Sequence, residues 1–352
     1  MIKKFLGITF LSAIVLIGCT NTGNMVNSNS NLHMGIIETT GQSNETYLTL
    51  LDQNLKVIKR EKIELGSMGS PFDLPRIFNG SMYVVPKGLI TKDLTVVFEY
   101  GLSNGNTNTY DVKQHNINTF AVDENFLYTA NTLNMSSIIT KCNKSTNKLE
   151  TLNINNVYIS RLDAYDNTLY AFGEEMNDEP AHKSFLYLID PVSLKINDII
   201  DITECGTGQY YSLKINDKIY FTNQYDIDGN PGYKLSVFDI NNKKAENYEL
   251  KSPFPYQIFE YNNKLLISHY DLVQNRGNDL TIFDPTDHLQ KLTTFKNSIG
   301  QIYVFGNTLY SADLENLYVY NLENFKLEKT IDIYSKRNEK MFFYFSSFFI
   351  KP

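Results

Sequence analysis

Along most of the chain, short runs of alternating apolar and polar residues are broken by pairs drawn from Asn, Asp and Gly. This is the pattern of antiparallel strands joined by tight turns. One unit recurs as FNGSMYVV, VDENFLYTA, YDNTLYAFG, INDKIYFTN, YNNKLLISH and FGNTLYSAD. With Tyr83, Tyr128, Tyr170, Tyr220, Leu266 and Tyr310 taken as equivalent, the separations are 45, 42, 50, 46 and 44 residues. Counting back about one period reaches Ile37 in MGIIETT, a seventh unit.

A second strand follows each marker, in LTLLDQNLK, ITKCNKSTNK, LYLIDPVSLK, LSVFDINNKK, LTIFDPTDHLQK and LYVYNLENFK. These end at Asp52, Asn143, Asp190, Asp239, Asp284 and Asn321, where an Asx side chain can close the next turn. With a strand before each marker and another after each Asx turn, every unit has four strands, lettered A to D from the centre outward. A sheet of this size cannot bury both faces alone, so the units must stack around an axis. The reading is an all-β, seven-bladed β-propeller of four-stranded antiparallel blades, closed by pairing of its N- and C-terminal strands. Closure is predicted because EKMFFYFSSFFIKP repeats the aromatic spacing of a strand A at the chain's end. The first blade would take strand A from about Lys340 to Phe345 and strands B to D from His33 to Leu65.

This repeat, with its LY strand and hydrophobic-x-x-Asp turn, resembles the YVTN-type and quinoprotein-like seven-bladed propellers over nearly all of Leu32 to Pro352. The resemblance implies a fold. Such propellers include dehydrogenases, lyases, lactonases and proteins that only bind. The tryptophan docking repeat of pyrroloquinoline quinone enzymes is absent from a chain without Trp, so no cofactor is expected.

Ahead of the repeats, Lys3 and Lys4 precede an apolar run from Phe5 to Ile17 that ends in Leu16-Ile17-Gly18-Cys19. The run is shorter than the roughly 20 residues a spanning helix needs, and a small residue precedes the cysteine. Residues 1–18 read as a lipoprotein signal peptide and Cys19 as the lipidated residue. Thr20 to Asn31, TNTGNMVNSNSN, completes a flexible tether at 19–31, and the propeller occupies 32–352. The expected location is the extracytoplasmic face of the cell membrane, where acyl chains such as palmitate on Cys19 hold a monomeric domain. Cys142 and Cys205 fall in different repeats and are expected to be unpaired thiols.

A net charge of −7 and a pI near 5.4 give no basic footprint for nucleic acid. No GxSxG, HExxH, Walker loop or CxxC is present. In a propeller the B–C loops share one face with the D–A links, and the interval from marker to Asx turn varies there. It is 11 residues from Tyr310, 15 from Tyr128, and 18, 19 and 20 from Leu266, Tyr220 and Tyr170. The three long segments, 173–183, 224–232 and 269–279, are adjacent in blade order and acidic. They supply the candidate binding residues Glu175, Asp178, His182, Tyr225, Asp228, His269, Asp271 and Arg276. Asp226, Asp228 and Asn230 have the 1, 3, 5 spacing of a calcium loop, but Pro231 stands where such a loop needs Gly, and DGN by itself makes a hairpin turn. Around the channel, Arg76, Arg161, Gln257 and Gln301 form a polar ring that could clasp a small ligand.

Two functions follow. The first is a lipid-anchored binding or scaffold propeller for a protein, peptide or glycan. The second is a propeller enzyme of lyase, lactonase or oxidoreductase type with its site at the channel mouth. Lack of a catalytic motif favours the first.

Overall fold

In a computed structural model that describes residues 31–90, 92–176, 183–333 and 342–352, the chain forms seven four-stranded antiparallel sheets. Blade 1 contains β1 (Met34–Thr39), β2 (Thr46–Leu51) and β3 (Val57–Ile63). Blade 2 contains β4 (Arg76–Phe78) and β5 (Ser81–Val84), a small inserted hairpin of β6 (Gly88–Leu89) and β7 (Lys92–Asp93), then β8 (Val96–Gly101) and β9 (Thr107–Asp111). Blade 3 is β10 (Ile117–Val122), β11 (Phe126–Leu133), β12 (Ser136–Asn143) and β13 (Leu149–Asn155). Blade 4 is β14 (Val157–Tyr165), β15 (Thr168–Glu175), β16 (Ser184–Asp190) and β17 (Lys195–Asp201). Blade 5 is β18 (Ser212–Ile215), β19 (Lys218–Thr222), β20 (Lys234–Asp239) and β21 (Lys244–Glu249). Blade 6 is β22 (Pro255–Tyr261), β23 (Lys264–Asp271), β24 (Arg276–Phe283) and β25 (Gln290–Thr294). Blade 7 is β26 (Gln301–Phe305), β27 (Thr308–Ala312), β28 (Asn316–Asn321) and β29 (Leu327–Asp332), and β30 (Tyr344–Ile350) returns to blade 1. This is the seven-bladed propeller that the repeats predict.

The marker residues explain the stacking. Ile37, Tyr83, Tyr128, Tyr170, Tyr220, Leu266 and Tyr310 all lie on second strands and all are buried. Each sits between its own sheet and a neighbour, so the ring is held by inter-blade apolar layers. The Asx turns also form as read. Asp52 Oδ1 accepts from the amides of Asn54 and Lys56 at 2.9 Å, and Asn143 Oδ1 accepts from Ser145 and Thr146 at 3.0 and 2.9 Å. Asp190, Asp239, Asp284 and Asn321 do the same for their own turns.

Closure occurs with a corrected strand. Strands B to D of blade 1 fall within His33 to Leu65, but strand A is Tyr344–Ile350 and not a segment near Lys340 to Phe345. The reason is a bulge: Ile37 pairs with Ser347 and Glu38 with Phe345, which leaves Ser346 as an extra residue that aromatic spacing cannot reveal. All six residues of β1 are buried, and Gly35 lets the Phe349 ring lie where a Cβ would meet its Cζ at 2.2 Å. His33 adds a bond from Nε2 to the Tyr310 hydroxyl at 2.9 Å and accepts from the Lys351 amide at 2.8 Å.

The link from β3 to β4 does not stay at the rim. The Tyr256 hydroxyl of blade 6 donates to the Pro71 carbonyl, the Phe72 ring lies 5.1 Å from Tyr210 of blade 5, and Leu74 packs on Tyr256 and Tyr270. A segment that starts at blade 1 and touches blades 5 and 6 crosses the channel, so it closes the axis on the loop side. Cys142 in β12 and Cys205 in a short 3-10 turn (Thr203–Cys205) are buried free thiols.

Candidate functional site

The loop face is built from B–C loops of unequal length. Residues 134–135 connect β11 to β12 and 313–315 connect β27 to β28, whereas 85–95 and 223–233 make the extended loops of blades 2 and 5. The blade 6 segment is not the extended loop its interval implies: β23 and β24 are eight residues each, and only 272–275 turn between them. The blade 2 loop, missed because its Asx turn has no counterpart spacing, packs on blade 1 through the Ile90 amide to the Gly41 carbonyl at 3.0 Å.

His269 therefore belongs to a strand. It is 2% exposed, with Nδ1 2.9 Å from the Pro253 carbonyl and Nε2 2.8 Å from the Thr281 hydroxyl. Burial pushes its pKa down to about 4, so at neutral pH it is an uncharged, fully bonded core group and not a loop base. Asp271 accepts from the amides of Val273 and Gln274 at 2.9 Å, and so closes its own turn. Arg276 is exposed beside it, and the three residues line one pocket of about 340 Å³ with Phe254 and Asp279. Asp226 likewise serves its hairpin: Oδ1 takes the amides of Asp228 and Asn230 at 2.9 and 2.8 Å, and Oδ2 takes the Asn230 side chain at 3.1 Å. Asp178 and His182 lie outside the described residues.

Tyrosines gather these loops. Tyr225 packs edge-on to Phe254 at 6.0 Å, and the chain around it pairs with the link before blade 5, Thr207 amide to Tyr225 carbonyl at 2.9 Å. Glu174, next to Glu175 at the end of β15, accepts from the Gly208 amide at 2.7 Å. Burial, then the charges of Asp271 and Glu174, raises the Tyr225 phenol. Tyr210 is raised by burial, then by Glu174 and its neighbours Tyr158 and Tyr225. One cluster thus joins Glu174, Tyr158, Tyr210, Tyr225, Phe72 and Phe254 across the crossing link, blades 4 and 5, and the link into blade 6. Glu175, the next residue of the strand, faces the other side of the sheet towards Tyr187, and Asp228 stands exposed in the 224–232 hairpin. Phe72, Tyr158 and Phe254 carry no local sequence signal, because a non-local link and two strand ends bring them together.

Beside the cluster is a mouth pocket of about 330 Å³, walled by Pro71, Leu74, Tyr256, Tyr270 and Tyr344 and edged by Lys87 and Asp313. Lys87 donates to the Ile117 carbonyl, and burial lowers its pKa against the opposing charge of Asp73. Asp73 is itself raised by burial.

Below the link, Arg76, Arg161, Gln257 and Gln301 do meet around one cavity, of about 450 Å³. Their polar groups join blades. Gln257 donates to the Ile302 carbonyl at 3.2 Å and accepts from its amide at 2.7 Å, and Gln301 pairs in the same way with Phe348 at 2.7 and 2.9 Å. Arg161 grips Asp163 with two bonds of 2.9 Å and reaches the Tyr210 carbonyl at 2.8 Å. Arg76 spans from Leu162 and Asp163 to Asp73 and Thr119. These residues are first of all staples between innermost strands.

No protein-family profile matches this chain, and no curated protein sequence does. Solved structures are similar in fold. The dihydro-heme d1 dehydrogenase NirN, in complex with DHE, aligns at 12% identity over 86% of this chain and 73% of its own, with a TM-score of 0.54. A 6-phosphogluconolactonase-like protein from Bacteroides uniformis aligns at 13% identity over 91% of this chain and 100% of its own, with a TM-score of 0.59. At such identity the likeness is one of architecture, the β-propeller fold, which in this chain has seven blades.

Proposed function

We propose that the chain is a lipid-anchored, extracytoplasmic binding propeller that presents its loop face to a protein, peptide or glycan. The observation that carries this is the tyrosine cluster around Glu174. It places partly exposed phenols with a carboxylate over the adjoining loop ends of blades 4 and 5, the residue types that anchor recognition surfaces. Of the two candidate histidines of this face, the one among the described residues, His269, is spent on core bonds. Lipid at Cys19 and a tether of about 12 residues would let the domain move about 20 Å from the membrane.

The alternative is an enzyme, with which the lactonase-like and dehydrogenase neighbours are compatible. In its favour, two buried titratable groups, Lys87 and Asp73, lie near the mouth pocket, and burial pushes each towards its uncharged form.

The anchored-binder reading is tested in one experiment on cells. Wild type is expected in the membrane fraction with its surface partner bound. Cys19→Ala is expected in the soluble fraction or as uncleaved precursor. Replacing 224–232 by a two-residue turn should keep the anchor and lower partner binding at least tenfold. Membrane retention of a normally processed Cys19→Ala chain, or full binding by the shortened chain, would contradict it.

A further inference from the structure

The 450 Å³ cavity below the link is more than a seam between staples. Tyr211, Phe259 and Tyr303, one from each of blades 5, 6 and 7, form a continuous aromatic arc along its wall, with ring centroids 5.9 and 5.3 Å apart. The arc ends on the Arg161 guanidinium, 5.1 Å from the Tyr211 ring. All three rings are only partly buried, so apolar faces stand open inside the molecule. Such wetted aromatic surface costs free energy until something covers it.

The polar wall has a matching character. Arg161 and Arg76 are paired with Asp163 and Asp73, so these side chains leave no unbalanced charge. Among the described residues, the Tyr211 and Tyr303 hydroxyls have no hydrogen-bond partner, and each can donate or accept. The volume lies within the roughly 300–1,000 Å³ of small-ligand sites. Because Leu74 and Pro75 of the crossing link line this cavity and Leu74 also walls the mouth pocket, entry is from the A–B turn side, opposite the loop face.

We propose that this cavity binds a neutral saccharide of one or two rings. A sugar ring offers an apolar C–H face to the arc and a rim of hydroxyls that both donate and accept, the complement of this wall. The site uses other residues than the loop face and stands or falls apart from the reading above.

The test is saturation-transfer NMR on the full chain with cellobiose, maltose and N,N′-diacetylchitobiose, and with benzoate and choline as charged probes. Transfer to ring C–H protons of at least one saccharide is expected. It should fall at least fivefold in Tyr303→Ala, fall two- to threefold in Tyr303→Phe, and be unchanged when 224–232 is shortened. If Tyr303→Ala does not fold by circular dichroism, Phe259→Leu takes its place, with the same fivefold loss expected. No transfer to any saccharide in the wild type, undiminished transfer in the folded arc variant, or transfer to benzoate or choline alone would overturn the proposal.

Discussion

A chain ended after Lys336 should not form the cooperative native propeller. The cut removes β30, so β1, buried along its whole length, loses one of its two partners and becomes a bare inner edge. It also removes Phe345, Phe348, Phe349 and Ile350, each less than 9% exposed. At about 1.5–3 kcal/mol per buried large side chain, these alone contribute roughly 6–12 kcal/mol. Native domains are stable by about 5–15 kcal/mol, so the loss is of the size of the whole. The Gln301 staple goes with them, leaving its amide unpaired in the core. Thermal unfolding followed by circular dichroism should show no cooperative transition above room temperature. A transition within a few degrees of wild type would show that blade 1 does not depend on this strand.

Asp163→Ala is the second substitution of large expected effect. Asp163 is 3% exposed and receives Arg161 through two bonds, Arg76 at 3.1 Å and the Ser212 hydroxyl. Without it, the buried Arg161 guanidinium of blade 4 has no carboxylate partner, and the half-buried Arg76 of blade 2 keeps only Asp73. Removing one member of a buried ion pair costs about 3–5 kcal/mol, since the remaining charge keeps its desolvation penalty. The melting temperature should fall by roughly 10 °C. Asp163→Asn, which keeps the size and some hydrogen bonds, should fall by less. A melting temperature unchanged in Asp163→Ala would mean that water solvates both arginines and that the network is not a staple.

The architecture was legible because its signals are local and repeated. An apolar marker and an Asx turn each follow from chemistry within about ten residues and recur every 42 to 50 residues, and all six Asx turns close on their own amides. Closure was legible in kind, from the terminal aromatic run, but its register turned on the bulge at Ser346. The candidate site was harder, since its partners are distant in sequence. HYDLVQNRGND reads as a polar loop, yet His269 and Asp279 pair within a sheet whose polar atoms are satisfied by Pro253, Thr281, Ser252 and Thr294. The four residues read as a channel ring line one cavity, while their use in holding blades together depends on carbonyls one blade away. Phe72 enters the cluster because a rim link crosses the axis, which no periodicity announces.

Which end of the propeller meets its partner can be measured directly. A photocrosslinking amino acid placed at Asp228 or Arg276 sits on exposed positions of the loop face, and one at Asn167 or Phe305 sits on exposed positions of the opposite, A–B turn face. After irradiation of intact cells carrying the full chain, covalent adducts to a surface protein, peptide or glycan should form from Asp228 and Arg276 and not from Asn167 or Phe305. Adducts confined to Asn167 and Phe305 would place recognition on the other face and contradict the account.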